Sequence, residues 1–350
     1  MKHILIAAII ALLILGGWYT LIHKDTPDAH THTSTHSDAE LRVVTSFYPL
    51  QFALERIIGT QGVVTNIGAG KDPHDFTPST QDMLQLQQAD VVVLQGADFE
   101  PWGVSVMHRL AEDGVPTIIA TADLTLHEAA HHDEEHHDDD AQDDPHEAVH
   151  TDTAVDEHDD HHDHEAAHTD TNHHHHAHGM YDPHTWLDPV LFGHTVEHLA
   201  EALAAQDPNN ATTYRTNAAA LQAELAVLDT EYQTALTHCA YDAVIASHNA
   251  FGYVSERYGF VVHPIAGLST QDTPSVTVLA ALRAEAAEGI GAILLEENSI
   301  SAYGETLARE TGLATLGINP IAYVIPEGDT YLTLMRQNLQ TFATALACHE

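Results

Sequence analysis

Short apolar runs alternate with helical segments along most of this chain, in two successive sets of four. Residues 42–47, 63–68, 91–96 and 116–121 read as strands, with helices over 50–58, 78–88 and 101–113. A second set reads as strands over 242–248, 260–267, 291–298 and 313–320, with helices over 250–258, 276–287, 302–311 and 332–347. Strand and helix in strict alternation call for a parallel sheet covered by crossover helices. The run of Val91 to Leu94 is apolar without a break, as expected of a strand buried on both faces. Ser79 and Asp82 stand at capping-box spacing at the head of the second helix. Between the two sets, Asp188 and Pro189 open one helix whose face carries Phe192, Val196, Leu199 and Leu203. A longer helix then runs from Ala211 to about His238, striped by Leu221, Leu225, Leu228 and Tyr232. The expected fold is α/β, with two (β/α)4 lobes joined by a long helix. The lobes are expected over 41–200 and 240–350, with the connecting segment over 201–239.

Residues 127–178 interrupt this pattern. They hold 17 of the 31 histidines and 18 acidic residues, with no Lys or Arg. Such a stretch has no apolar periodicity and cannot bury enough surface to offset the entropy of ordering it. It reads as a disordered insert in the first lobe. Imidazole beside carboxylate, many times over, attracts borderline divalent metals; acid alone would suffice for solubility. The formal net charge is −41, and without the insert 34 acidic against 11 basic residues still leave −23. That surface repels nucleic acid and anionic lipid, so neither is expected as a partner.

Residues 1–24 carry Lys2 followed by an apolar run from Ile4 to about Ile22, with Trp18 and Tyr19 near its far end. The run is long enough to span a bilayer. It lacks an Ala-x-Ala site and a cysteine for lipid attachment, so it reads as an uncleaved anchor in preference to a removed signal. Either places the body outside the cytoplasm. Residues 25–40 form a polar linker. Its His30, His32 and His36 are read as chance in a His-rich chain. In an oxidising compartment Cys239 and Cys348 can pair and close a loop of about 110 residues; two free thiols are the alternative.

Asp-Pro-His occurs twice outside the insert, at 72–74 and 182–184, each in a loop before a helix. Proline stiffens the backbone beside each imidazole, which suits a metal ligand that must be oriented in advance. His248 stands at the carboxyl end of one expected strand, and Glu296 and Glu297 at that of another. Ligands bind off those ends in open parallel sheets. His74, His184, His248 and one carboxylate would make a four-coordinate site that zinc accepts; strand alternation lets only one of Glu296 and Glu297 face the cleft. His194 and His198 lie opposite their helix's apolar face and read as surface. His108, His238, His263 and His349 have no motif around them.

Taken together, PHDFTPS with His74, DPHTWLDP with His184, SHNAFGYVSERYGF with His248, EENSIS with Glu296 and Glu297, and the preceding insert resemble the zinc-type (ZnuA/AdcA-like) cluster A-I metal-binding proteins of ABC importers. The resemblance runs from Arg42 to the end. It implies a rigid connecting helix, one metal in the cleft between the lobes, and His74, His184 and His248 as ligands. It leaves the fourth ligand among Glu296, Glu297 and water. A cysteine pair at positions like Cys239 and Cys348 also recurs in that family. The resemblance implies a monomer that is no enzyme, which captures Zn2+ as cargo and passes it to an ABC permease. The insert would then collect or sense weaker-bound metal. A metal buffer or sink and a manganese-type binding protein are the alternatives. A zinc hydrolase is disfavoured, because there is no HExxH motif and no Arg or Lys cluster to place a substrate.

Overall fold

The computed structural model describes residues 40–96, 99–128, 181–270, 272–296 and 302–349. The apolar segment of residues 1–24, the linker up to residue 39, all of the His-rich stretch except His127 and Glu128, and Glu297 lie outside the described residues. Among the described residues no helix is long and apolar enough to cross a membrane.

Two parallel four-stranded sheets organise the chain. The first contains β1 (Leu41–Thr45), β2 (Gly62–Asn66), β3 (Val91–Leu94) and β4 (Thr117–Ile119) in the order β2-β1-β3-β4. The second contains β5 (Ala243–Ala246), β6 (Val261–Pro264), β7 (Ile290–Glu296) and β8 (Thr315–Ile318) in the equivalent order β6-β5-β7-β8. Helices α1 (Tyr48–Ile58), α2 (Thr80–Gln88) and α3 (Gly103–Glu112) belong to the first lobe. Helices α4 (Pro189–Gln206) and α5 (Ala211–Ala235) follow it. Helices α6 (Gly252–Tyr258), α7 (Val276–Glu285), α8 (Ala302–Thr311) and α9 (Tyr331–Ala345) complete the second lobe. The alternation read from the sequence is therefore present in both halves. Several strands stop short of their apolar runs. β3 ends at Leu94 because Gln95 and Gly96 leave the ladder and turn their amides onto Glu100, Gly96 with a φ of 83°. At the head of α2, Ser79 and Asp82 form the reciprocal capping box.

Each sheet is buried on both faces, and side-chain alternation divides the core. Val44, Val92 and Leu94 pack with Leu86 and Leu110 under α2 and α3. Ile245 and Ile293 pack with Leu282 and Leu307 under α7 and α8. The opposite faces, with Val43, Val93, Val244 and Leu294, enter one core that continues through both lobes. The stripe Leu221, Leu225, Leu228 and Tyr232 of α5 lies within that core. The long helix is thus no free-standing strut. Asn217 donates to the Ile57 carbonyl of α1 at 2.9 Å, and the Tyr232 hydroxyl donates to the Met335 carbonyl of α9 at 2.6 Å. Ion pairs Arg56–Glu224 and Arg336–Glu231 flank it on the two lobes.

Both sheets reverse their winding direction between the first and third strand of the set. Loops leaving β1 and β3 diverge, as do those leaving β5 and β7, and each pair opens a crevice at the carboxyl ends. Cys239 and Cys348 form a disulfide that ties the segment after α9 to the segment after α5, across 109 residues. Replacing both by Ser is expected to lower the unfolding free energy by about 2–5 kcal/mol, read from the urea midpoint at constant m-value.

Candidate metal centre

The two Asp-Pro-His triplets fold into the same local turn. Asp72 Oδ1 accepts the His74 amide at 3.0 Å, and Asp182 Oδ1 accepts the His184 amide at 2.9 Å. Each aspartate thereby closes an Asx-turn around its proline, so the acid as much as the ring sets the direction of the imidazole two residues on. The second triplet is fastened further. Asp182 Oδ1 also accepts Nδ1–H of His184 at 2.7 Å. Gln95, at the end of β3, donates to the Pro183 carbonyl at 2.7 Å and to the Thr185 hydroxyl at 3.1 Å. The Tyr253 hydroxyl of α6 donates to the Asp182 carbonyl at 2.7 Å. Gly252 keeps room for Asp182, since a Cβ there would stand 3.0 Å from its Oδ2.

The rest of DPHTWLDP joins the lobes. Trp186 Nε1 donates to the Pro320 carbonyl at 2.8 Å, and the Trp186 carbonyl accepts the Tyr331 hydroxyl at 2.5 Å. Asp188 caps α4 by accepting the Val190 and Leu191 amides, and its other oxygen pairs with Arg257 of α6. Burial raises the Asp188 carboxyl, while Arg257 and the two amides oppose it. Sequence reasoning assigned only Pro183, His184, Asp188 and Pro189 of this segment a role.

His248 follows β5 at the crevice of the second sheet. Glu296, the last residue of neighbouring β7, accepts a hydrogen bond from its Nδ1–H, and Ser247 Oγ lies 3.3 Å from the same carboxylate oxygen. In the neutral ring that bond leaves Nε2 of His248 without a proton; this atom is buried and has no hydrogen-bond partner among the described residues.

Ring nitrogens of His74, His184 and His248 come within 4.8 Å of one another, the only such group of metal-ligating side chains among the described residues. Nε2 of His74 and Nε2 of His184 stand 3.4 Å apart. Phe99 packs edge-on against His74 at 5.1 Å, and Trp186 lies 5.1 Å from His184. His184 and His248 are buried and His74 is half-buried. Burial, followed by the neighbouring His184 and His248, holds His74 well below the usual histidine range. Burial pulls His248 down too, but the charge and hydrogen bond of Glu296, with Asp72 and Asp182 behind them, outweigh it and raise that ring.

The three histidines expected from the sequence are thus brought together. Glu296 is not in that group; its Oε1 accepts from Nδ1 of His248, because β5 and β7 are adjacent and end side by side. Glu297 lies outside the described residues. His194 is exposed and His198 pairs with Asp123 at 2.6 Å, as expected of a surface face. His127, taken as the first residue of the insert, is held in place: its ring stacks on Tyr253 at 4.1 Å, its amide donates to the Tyr253 hydroxyl, and its carbonyl accepts the Asp182 amide.

Residues 43–345 match the family described as zinc-uptake complex component A, periplasmic (ZnuA). The chain belongs to the ZnuA family. It is 31% identical over 341 residues to the high-affinity zinc uptake system protein ZnuA of Bacillus subtilis, covering 96% of this chain and 97% of that protein. It is also 31% identical over 310 residues to the zinc-binding lipoprotein AdcA of Streptococcus pneumoniae, covering 87% of this chain but 55% of AdcA. The chain therefore spans about half the length of the AdcA relatives it matches. The Zn(II)-bound ZnuA-like domain of Streptococcus pneumoniae AdcA has a similar fold, with a TM-score of 0.66, 28% identity, and coverage of 88% of this chain and 99% of that one.

Within this ZnuA-family fold, Asp182, Gln95 and Tyr253 escaped sequence reasoning as parts of the site, and Glu296 was expected there as a candidate ligand instead of as the partner of His248. Only the aspartates carried a signal, standing two residues before a histidine in both triplets. The Glu296–His248 bond yields a test. Because the ring is raised, protons should begin to displace metal at a higher pH than for an ordinary histidine. Metal binding should release a proton in a pH range where an ordinary histidine is already neutral, seen by calorimetry in buffers of different ionisation enthalpy. Glu296→Gln should shift that release to lower pH and weaken zinc affinity by about 10–100-fold.

Proposed function

We propose that this chain captures a zinc ion outside the cytoplasm and hands it to an ABC permease as cargo, acting as a binding protein and not an enzyme. One observation carries this reading: three imidazoles converge in a buried crevice, two of them with Nδ1–H fixed on a carboxylate and Nε2 left as a lone pair. Zinc–nitrogen bonds of about 2.0–2.1 Å in a tetrahedron set ligand nitrogens about 3.4 Å apart. The His74–His184 spacing has that value, and a small movement of His248 would complete the face. Three neutral imidazoles suit zinc better than manganese, which favours oxygen. With Glu296 engaged by His248, Glu297 is our assignment for the fourth ligand.

The family match and the names of the relatives support zinc as the cargo and an extracytoplasmic location. The disulfide fits an oxidising compartment. We assign tethering to the apolar N-terminal segment, and collection of more weakly held metal to the His-rich stretch, whose imidazoles and carboxylates suit borderline divalent ions.

Zinc titration at pH 7.5 tests both levels. The full chain should show one tight site and several weak ones. Replacing His74, His184 and His248 together by Ala should abolish the tight site and spare the weak ones. Excising residues 130–178, which leaves the His127 and Asp182 contacts intact, should do the reverse. A triple variant that kept its tight site would refute the assignment, and a pure metal sink would lose little capacity in it.

A further inference from the structure

His74 differs from its two partners. The rings of His184 and His248 are each fixed at Nδ1 by a carboxylate. Among the described residues no carboxylate takes the His74 ring, and its direction depends on the turn closed by Asp72. The two oxygens of Asp72 serve different lobes. Oδ1 accepts the His74 amide at 3.0 Å, and Oδ2 accepts the hydroxyl of Thr270 at 2.8 Å. Thr270 lies in the second lobe, 198 residues away, in the loop after β6.

That loop is anchored beside His248. The Ala266 amide donates to the Ser247 carbonyl at 3.0 Å, and the Asn249 amide donates to the Gly267 carbonyl at 2.8 Å, so both neighbours of His248 hold its base. Its tip is drawn tight, with the Ser269 amide donating to Asp272 Oδ2 and the Asp272 amide donating to the Ser269 carbonyl, each at 3.1 Å. A Cβ at Gly267 would stand 2.4 Å from Asp272 Oδ2, so the Asp272 carboxylate lies directly against this glycine. A continuous path thus runs from the His248 backbone through the loop to Thr270, across to Asp72, and into the turn that aims His74.

We propose that Thr270 is a positioning residue for metal retention: its hydroxyl latches the His74 turn to the lobe that carries His248, and breaking that bond is part of releasing the ion. This rests on His74 and His248 being ligands of one zinc ion, as assigned above. The latch acts through Asp72 and touches no metal. It should therefore slow dissociation without altering how many ions bind.

The experiment is a chelator chase of zinc from the full chain, followed by stopped flow, for wild type, Thr270→Val and Thr270→Ser. Loss of a hydrogen bond to a carboxylate should speed dissociation from the tight site about tenfold in Thr270→Val. Stoichiometry and the melting temperature of the metal-free protein should stay at wild-type values. Thr270→Ser, which keeps the hydroxyl, should restore the slow rate. Dissociation from Thr270→Val within about twofold of wild type would overturn the latch, as would a Ser variant as fast as Val. A lowered melting temperature of the metal-free Val variant in step with its faster release would also overturn it in favour of a merely structural role. If wild type itself has no tight site, the zinc reading fails and the latch with it; tight wild-type binding with an unaltered Val variant sinks the latch alone.

Discussion

An imidazole can offer a lone pair at one nitrogen only while the other holds the proton, and much of this structure serves that requirement. Asp182 fixes the proton on Nδ1 of His184, and Glu296 fixes it on Nδ1 of His248. Each carboxylate is buried, and each is held by its neighbours: Asp182 by the turn it closes and by Tyr253 on its carbonyl, Glu296 by its place at the end of β7 beside Ser247. The opposed pulls on His248, burial downward and Glu296 upward, follow from putting that pair in a crevice. The aromatic walls add low dielectric, which keeps His74 neutral.

The two lobes put their sheet crevices to different uses. In the second, the first strand ends in Ser247 and His248 and the third in Glu296. In the first, Ser46 follows β1 and donates to Glu100 Oε1 at 2.5 Å, while Glu100 accepts the Gln95 and Gly96 amides beyond β3. The plan of a serine after the first strand and a buried glutamate at or just after the third recurs. Only the second lobe adds a histidine to it. In the first lobe the same carboxylate organises Gln95, whose side chain then bolts down the His184 loop from below. Burial raises the Glu100 carboxyl, and its hydrogen bonds to Ser46, Gln95 and Gly96 hold that rise back.

Legibility in the sequence follows the range of each interaction. Apolar runs such as Val91 to Leu94, the Ser79–Asp82 box, and the Asp188–Pro189 helix start are local, and all appear as expected. The three histidines were legible because a repeated triplet and a strand-end position mark them. The bond from His248 to Glu296 was not, since it depends on which strand lies beside β7. Gln95, Tyr253 and Thr270 act over gaps of 71 to 198 residues, and nothing near them in sequence announces a partner. The place of His127 was hidden for a similar reason: composition reads His127 and Glu128 as part of the acidic run, while Tyr253 holds the first of them from the other lobe.

Glu128 and Tyr181 form an isolated antiparallel bridge, so the chain leaves the first lobe and returns to it at the same point. Lengthening a loop whose ends already meet costs little, about 0.6 kcal/mol of closure entropy per doubling. The intervening segment can therefore grow or shrink with almost no thermodynamic effect on the body. The bridge is also a strain relief. A pull from beyond it acts first on Glu128, Tyr181 and the His127–Tyr253 stack, and reaches Asp182 only after those have yielded. The aim of His184 is insulated from whatever happens in a stretch that ends only four residues before it.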